Sequence, residues 1–222
     1  MDLRAKCAAV IPCFNEQATI ASVAQLVRPQ VCHVIVIDDG STDGSATEAK
    51  SSGAEVIRHE SNQGKGQALR TGMIRARDLN FEWVLTVDAD GQHAADDIPK
   101  FFDCVHKTAA KLVVGNRMTA AETMPWLRWV VNRWMSRRLS SAAGQSFPDS
   151  QCGFRLVDLQ AWSELRLRTT HFEVESELLL GFARAGFRVE FVPIQVIYKD
   201  EQSKIHPIRD TIRWLRWWNG RK

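Results

Sequence analysis

Two aspartates, Asp88 and Asp90, stand two positions apart and are followed by Gly91, Gln92 and His93. On an extended segment, residues two apart point the same way, so the two carboxylates would lie side by side. Paired carboxylates repel each other unless a proton or a cation lies between them. Hard oxygen ligands of this kind suit Mg²⁺ or Mn²⁺. A solvated turn with capping aspartates is the alternative interpretation, and His93 is expected to support the site rather than bind the metal.

The aspartate pair follows one of five short apolar runs, which alternate with segments of helical spacing. The apolar runs span residues 7–12, 31–37, 54–58, 82–87 and 111–114. The helical segments span residues 16–27, 65–79 and 96–109, with another beginning at Asp43. Continuous apolar strands that alternate with helices predict an α/β fold, a mostly parallel sheet with helices on both faces. In such sheets, ligands bind at the carboxyl ends of the strands.

Polar residues stand at the carboxyl ends of three further apolar runs. They are Asn15 and Glu16, Asp38 and Asp39, and Asn116 and Arg117. Two common phosphate-binding patterns are missing nearby. The first strand is followed by PCFNE rather than by GxGxxG, and residues 62–66 (NQGKG) do not match the P-loop. The sequence therefore excludes a dinucleotide-binding domain of that type and a P-loop enzyme.

The length and composition limit the class of protein. The 222 residues fit one domain, residues 1–222, and 45% hydrophobic with 25% charged residues excludes a disordered chain. A net charge of +3 predicts no nucleic-acid partner. No apolar run reaches about 18 residues and no signal peptide is evident, so we expect a cytoplasmic protein without a spanning helix. Five cysteines without a CxxC pair predict small core residues, not disulfides or zinc ligands.

Charge is divided unevenly along the chain. Residues 1–116 contain 12 Lys and Arg against 15 Asp and Glu, whereas residues 117–222 contain 17 against 11. An acidic front half suits a cation, and a basic back half suits an anionic partner. We therefore expect the two halves of the chain to bind different ligands.

Eight segments together resemble a known family of enzymes. They are IPCFNE (11–16), VIDDGSTDG (36–44), NQGKGQALRTGM (62–73), VDADGQH (87–93), GNR (115–117), DSQCGFRL (149–156), FEVESELL (172–179) and SKIHPIRD (203–210). The first five are similar to the nucleotide-sugar glycosyltransferases of the GT-A fold, family 2. The last three resemble the dolichyl- or polyprenyl-phosphate mannosyl- and glucosyltransferase branch of that family. The resemblance implies a Rossmann-like, mostly parallel sheet and a nucleoside-diphosphate sugar as the donor.

The resemblance also implies roles for individual residues. The donor would be bound by Pro12, Phe14, Glu16, Asp39, Lys65, Gly66, Asp88 and Ala89. The metal, Mg²⁺ or Mn²⁺, would be held by Asp88, Asp90 and Gln92, and would bridge the diphosphate of the donor. The catalytic residues would be Asp90, Arg117 and Asp149. Residues 1–116 would thus form the half that binds nucleotide sugar and metal, and residues 117–222 the half that binds the acceptor.

Two kinds of acceptor are open. The implied reaction is a direct displacement, with inversion, at the anomeric carbon of GDP-mannose or UDP-glucose. A polyprenyl or dolichyl phosphate is already an anion and needs only cations, here Arg117, Arg133 and Lys204. A sugar hydroxyl of a glycan or glycolipid needs a base, and Asp149 is the candidate, although it could equally organise its loop. A nucleotide-sugar-binding subunit without activity is a remote alternative.

Six of the eight tryptophans fall in two segments of the back half. They are Trp126, Trp129 and Trp134, and Trp214, Trp217 and Trp218. As a helix, residues 208–218 place arginines on one side and apolar residues on the other, which is typical of an in-plane membrane anchor. Packing of that helix on the sheet is the alternative. Residues 125–141 form a second helix that needs a cover, which a lipid tail, the bilayer or a dimer partner could provide. We expect peripheral contact with a membrane, or a separate membrane-embedded partner protein.

Overall fold

The strands and helices alternate along most of the chain. The computed structural model describes residues 2–119, 124–197 and 207–220. The strands are β1 (Cys7–Cys13), β2 (His33–Asp38), β3 (Glu55–Arg58), β4 (Trp83–Thr86), β5 (Leu112–Asn116), β6 (Arg155–Asp158) and β7 (Val189–Pro193). The helices are α1 (Ile20–Val27), α2 (Ser45–Ser51), α3 (Lys65–Asp78), α4 (Ile98–Thr108), α5 (Trp126–Ala143), α6 (Leu159–Ser163), α7 (Val174–Arg184) and α8 (Pro207–Asn219).

The seven strands form one mostly parallel sheet, as the apolar runs predict. The order across the sheet is β3-β2-β1-β4-β6-β5-β7. Strands β3, β2, β1 and β4 pair in parallel, and β5 pairs in parallel with β7. Strand β6 runs antiparallel between β4 and β5. The five predicted strands β1 to β5 are confirmed, whereas β6 and β7 are additions that the sequence pattern did not predict.

The helices of the front half cover the sheet with narrow apolar faces. Helix α1 buries Ile20, Val23, Ala24 and Val27, the four residues that its spacing places on one side. Helix α3 packs against β1 through Gly72, where a Cβ atom would collide with the side chain of Val10. This close approach fixes α3 against the central strand. The first residue of α3, Lys65, is thereby held beside the carboxyl ends of the strands.

Helix α8 packs on the body of the protein through its central tryptophan. Trp214 is only 2% exposed, and its indole N–H donates a hydrogen bond of 2.9 Å to Ser176 Oγ on α7. Its ring lies 5.3 Å from that of Trp134 on α5 and 5.1 Å from that of Trp218. Of the two interpretations left open for this helix, packing on the core therefore holds for Trp214.

The burial of the cysteines agrees in part with the prediction that they are core residues. All five cysteines are free thiols, and Cys7, Cys13 and Cys152 are buried as predicted. Cys32 is exposed and Cys104 is half-buried, so the prediction of a core position is wrong for Cys32.

Among the described residues, no helix has the length and apolar character that crossing a membrane requires.

Candidate active site

The amino group of Lys65 joins two carboxylates that come from opposite halves of the chain. Its Nζ lies 2.6 Å from Asp88 Oδ1, beyond the end of β4, and 2.6 Å from Glu175 Oε1, in the first turn of α7. Burial alone would lower the pKa of Lys65, but the charges of Asp88 and Glu175 outweigh burial and hold this pKa above its usual range. The cluster therefore carries a fixed positive charge between two carboxyl groups.

The second aspartate of the pair lies in a different electrostatic setting. Burial and the nearby charge of Asp88 both raise the pKa of Asp90 above its usual value. One oxygen of Asp90 accepts a hydrogen bond of 3.0 Å from the backbone N–H of Gln92. Asp88 is held in the opposite direction, since Lys65 outweighs burial and keeps the pKa of Asp88 well below its usual range. The negative charge of Asp88 thus disfavours a second negative charge on Asp90.

The donor set of this turn fits a divalent cation shared with a substrate. No cluster of three or more His, Cys, Asp and Glu side chains suited to a metal occurs within the described parts of the chain. The turn instead offers the carboxylates of Asp88 and Asp90 and the amide of Gln92. Mg²⁺ is usually bound by one or two carboxylates together with substrate phosphates. A cation placed between Asp88 and Asp90 would also relieve the repulsion that raises the pKa of Asp90.

The side chain of His93 packs between Phe154 and the carboxylate of Asp88. Its side chain is buried, and its ring stacks on Phe154 with the ring centroids 4.9 Å apart. Its Nε2 lies 3.4 Å from Asp88 Oδ2. The imidazole therefore limits the positions that the Asp88 carboxylate can take.

Asp39 holds the glycine loop through its carboxylate. The side chain is almost fully buried and accepts hydrogen bonds from the backbone N–H groups of Gln63, at 2.9 Å, and Gly64, at 2.8 Å. A ring nitrogen of His59 lies 2.7 Å away. The resemblance implies a bond from Asp39 to the base or ribose, but here the carboxylate is occupied by the protein. Asp39 thereby fixes the turn at Gly64, whose φ of +97° favours glycine.

Gly153 is a functional position that the sequence analysis missed. A Cβ atom at this position would lie 2.5 Å from Asp88 Oδ2 and 2.8 Å from Lys65 Nζ. Only a glycine leaves room for the charged cluster to sit against this backbone. The signal available in the sequence was the glycine inside DSQCGFRL, one residue beyond the buried Cys152.

Asp149 and Arg117 form a buried ion pair with two parallel hydrogen bonds. Arg117 Nε and Nη2 lie 2.8 and 2.9 Å from the two carboxylate oxygens of Asp149. Asn132 on α5 donates a further hydrogen bond of 2.9 Å to the same carboxylate, which is fully buried. Burial alone would raise the pKa of Asp149, but the guanidinium of Arg117 outweighs burial and holds this pKa below its usual range. A carboxylate in this state is a weak base.

Arg155 connects the loop of Asp149 with helix α7. It is fully buried in β6 and donates hydrogen bonds to three backbone carbonyls. These belong to Cys152 at 2.7 Å, Glu175 at 2.6 Å and Ser150 at 3.0 Å. By binding the carbonyl of Glu175, Arg155 positions the carboxylate that meets Lys65. The sequence analysis missed both Arg155 and the partnership of Glu175 with Lys65.

The remaining predicted residues occupy the rim of the site or lie elsewhere. Pro12, Phe14 and Glu16 follow one another along the end of β1, and Ala89 is buried between the two aspartates. Gly66 lies in the first turn of α3, where a Cβ atom would crowd the backbone of Thr170. Arg133 is exposed on α5, with its guanidinium 5.1 Å from the centre of the Trp129 ring. Lys204 lies outside the described residues.

The fold and the acidic turn define a GT-A glycosyltransferase. The chain superposes on glucosyl-3-phosphoglycerate synthase from Mycobacterium tuberculosis, solved with Mn²⁺, UDP and phosphoglyceric acid, with a TM-score of 0.74. That alignment covers 97% of this chain and 78% of the other, at 21% sequence identity. The family model described as glycosyl transferase family 2 matches residues 8–165, and the chain belongs to that family. The chain is therefore a glycosyltransferase.

Three curated relatives extend the likeness over most of the chain. The UDP-N-acetylglucosamine–dolichyl-phosphate N-acetylglucosaminyltransferase of Methanococcus voltae is 31% identical, covering 86% of this chain and 85% of that protein. Glycosyltransferase AglJ of Haloferax volcanii is 32% identical, covering 90% of this chain and 66% of that protein. The undecaprenyl-phosphate mannosyltransferase of Micrococcus luteus is 27% identical, covering 86% and 83%.

Proposed function

We propose that this glycosyltransferase moves a hexose from a nucleoside-diphosphate sugar to a polyprenyl phosphate. An oxygen of the acceptor phosphate forms a bond to the anomeric carbon while the bond from that carbon to the donor diphosphate breaks, with inversion. The names of two relatives, a dolichyl-phosphate and an undecaprenyl-phosphate transferase, support this acceptor. GDP-mannose and UDP-glucose are the proposed donors.

The observation that carries this proposal is the state of Asp149. A hydroxyl acceptor must lose a proton during transfer and needs a base in reach. Asp149 was the candidate base, but its carboxylate is buried, bonded to Arg117 and Asn132, and held at a low pKa. A lipid phosphate arrives already ionised and needs no such base. We therefore assign Asp149 to organising Arg117 and its loop.

On the donor side, the acidic turn is proposed to bind the diphosphate through Mg²⁺ or Mn²⁺. Asp88, Asp90 and Gln92 would hold the cation, which would act as a Lewis acid on the diphosphate leaving group. Lys65 adds a fixed positive charge next to this turn, in a position that Glu175 determines. Preorganised charge of this kind stabilises the negative charge that develops on the leaving group.

On the acceptor side, the guanidinium of Arg117 is proposed to contact the lipid phosphate. Asp149 engages Nε and Nη2 of Arg117, which fixes the plane of the guanidinium and the direction of its remaining nitrogen. Because Asp149 neutralises much of the charge of Arg117, a further cation is needed, and Arg133 is proposed for this role. Lys204 keeps the acceptor role that the resemblance implies, as a proposal.

The test of this function is nucleotide release by the purified protein. GDP-mannose, UDP-glucose and UDP-N-acetylglucosamine are each incubated with Mn²⁺, with and without undecaprenyl phosphate in detergent, and GDP or UDP is measured. We expect release with one of these donors that depends on the lipid phosphate. No release with any donor in the presence of lipid phosphate would contradict the proposal.

The enzyme is further proposed to act on the cytoplasmic side of a membrane, as a peripheral protein. A polyprenyl phosphate is anchored in a bilayer by its tail, whereas a nucleotide sugar is dissolved in water. An enzyme that joins the two must bring its acceptor site to the membrane surface. Because the proposed acceptor residues lie in the back half, we expect the surface of the back half to contact the membrane.

A further inference from the structure

Helix α5 presents a large apolar face to solvent. The side chains of Trp126, Leu127, Val130 and Trp134 are 75%, 47%, 43% and 37% exposed. At about 100° per residue, these four side chains fall within one arc of about 100° on the helix surface. The opposite side of the helix buries Asn132, Met135, Ser136 and Leu139. Contiguous exposed apolar surface of this kind marks an interaction site.

The same outward face becomes basic toward the end of the helix. Arg133, Arg137 and Arg138 are exposed and lie about two to three turns beyond Trp126. The guanidinium of Arg138 stands 5.0 Å from the centre of the Trp134 ring, which keeps the charge beside the aromatic side chain. Helix α5 contains no aspartate or glutamate between Trp126 and Ala143. The face therefore combines aromatic and aliphatic groups with positive charge that has no acidic partner within α5.

We propose that the outward face of α5 docks on an anionic lipid bilayer. Trp126, Leu127, Val130 and Trp134 would enter the boundary between headgroups and acyl chains, and Arg137 and Arg138 would face the lipid phosphates. Tryptophan favours this boundary, and amphipathic helices that bind anionic membranes carry their basic residues in this way. A second copy of the chain fits less well, because a twofold contact would bring arginines of both copies together without an acidic partner.

This docking surface rests on the proposed function, since the polyprenyl phosphate lies in the membrane. The link to the site runs through α5 itself. Asn132, on the inner side of the helix, donates its hydrogen bond to Asp149, while the neighbouring Arg133 faces outward. A bilayer seated on the outer face therefore lies one helix diameter or less from the Arg117–Asp149 pair. Of the two helices for which the sequence suggests membrane contact, α8 buries its central Trp214 in the core, whereas α5 leaves its apolar face exposed.

The experiment measures binding of the full chain to vesicles without any substrate. Phosphatidylcholine vesicles with and without about one third phosphatidylglycerol are sedimented with the protein at low and high salt. The apolar variant, Trp126→Ser/Val130→Ser, removes two large apolar side chains from the face. The charge variant, Arg137→Gln/Arg138→Gln, removes two of its positive charges. The controls are Leu26→Ser, at a side chain 62% exposed on α1, and Arg77→Gln, exposed on α3. Both controls lie near the C-terminal ends of helices that connect parallel strands, at the edge of the sheet opposite the site.

We expect the unmodified chain to bind anionic vesicles more tightly than neutral ones. The apolar variant should bind at least about tenfold more weakly. Each large apolar side chain that enters the bilayer raises the binding constant by about tenfold or more, and the variant lacks two of them. The charge variant should lose the preference for anionic vesicles and most of the salt dependence, and both controls should stay within about twofold of the unmodified chain.

Two results would overturn the docking surface. One is binding by Trp126→Ser/Val130→Ser that equals binding by the controls, with circular dichroism showing all variants folded. The other is a dimer in sedimentation velocity that Trp126→Ser/Val130→Ser converts to monomer, together with no vesicle binding by the unmodified chain. Activity is followed separately with acceptor in detergent. If vesicle binding follows the expectation but no donor is turned over with lipid phosphate, the proposed function fails and the docking surface stands.

Discussion

At the scale of single residues, the charge balance around Lys65 decides how the acidic turn can bind a cation. Lys65 is shared between Asp88 and Glu175, at 2.6 Å from each carboxylate. A cation that binds Asp88 would compete with this ammonium group for the same carboxylate. Because Glu175 shares Lys65 with Asp88, we expect Glu175 to act as a positioning residue for the proposed cation site.

The variant Glu175→Gln tests this role. Loss of the charge leaves Lys65 more tightly paired with Asp88, so a bound cation must displace a stronger competitor. We expect the dissociation constant for Mn²⁺, measured by electron paramagnetic resonance with the nucleotide present, to rise about threefold to tenfold, which corresponds to about one kcal/mol. The matched control is Glu177→Gln, two positions along α7, whose carboxylate binds the backbone of Thr169 at 2.9 Å. Equal shifts in the two variants would contradict the assignment.

The variant Gly153→Ala tests the close approach of the backbone to the same cluster. The new methyl group would lie 2.5 Å from Asp88 Oδ2, so the carboxylate must move. A displacement of about 1 Å in a catalytic group can cost about a hundredfold in rate, and we expect a loss of that order in kcat. Gly181→Ala on α7 is the control, because its methyl group would meet the ends of two leucine side chains, Leu165 at 3.2 Å and Leu167 at 3.8 Å. The idea fails if Gly153→Ala keeps full activity.

The variant Asp149→Asn tests the buried ion pair through stability. Removal of one partner of a buried pair leaves the other uncompensated, and we expect the free energy of unfolding at pH 7 to fall by about 3 kcal/mol in urea titrations. The low pKa of folded Asp149 means that its contribution is present above the pKa of the unfolded group, near 3.8, and disappears as the pH falls through the folded value.

The difference in stability between the unmodified chain and Asp149→Asn should therefore shrink as the pH is lowered below about 4. A difference that stays constant down to the lowest pH at which both proteins fold would contradict the low pKa. This structural role also makes Asp149→Asn a poor test of the acceptor, because loss of activity would follow from either assignment.

At the scale of elements, the sequence predicts the strands of the regularly alternating front half. Strands β1, β2, β4 and β5 are apolar for most of their length, and β3, with Glu55 and Arg58 at its ends, follows from its place between two helical segments. Strand β6 has only four residues and begins with a charged residue, Arg155, which is buried because three carbonyls receive its N–H groups. Periodicity carries no information about such a strand, nor about its antiparallel position between β4 and β5.

Helix α8 gives a further prediction at this scale, about its attachment to α7 and α5. Trp214 is buried and bonded to Ser176, whereas Ile212 on the same helix is exposed. We expect Trp214→Ala to lower the free energy of unfolding by about 3–5 kcal/mol, and Ile212→Ala to change it by less than about 0.5 kcal/mol. Urea titrations followed by circular dichroism measure both. Equal effects of the two variants would contradict the packing of α8 on the core.

At the scale of the whole molecule, residues of both halves of the chain meet at the acidic turn. The acidic turn of the front half lies at the carboxyl ends of the parallel strands. The back half contributes Glu175 and Gly153, which contact the Lys65–Asp88 pair, and the Arg117–Asp149 pair. The motifs predicted that these segments matter. They could not predict which polar groups of the protein itself bind these side chains, such as the backbone of Gly64 at Asp39 and the guanidinium of Arg117 at Asp149.

The central claim, transfer to an acceptor that is already ionised, has one direct test. The enzyme is given the donor that it uses, carrying a radiolabelled sugar, together with either undecaprenyl phosphate or undecaprenol in the same detergent. The two lipids differ only in the phosphate, and the label extracted with the lipid is counted. We predict labelled lipid with undecaprenyl phosphate and none with undecaprenol. Label on undecaprenol, or on a soluble sugar acceptor while undecaprenyl phosphate stays unlabelled, would contradict the claim.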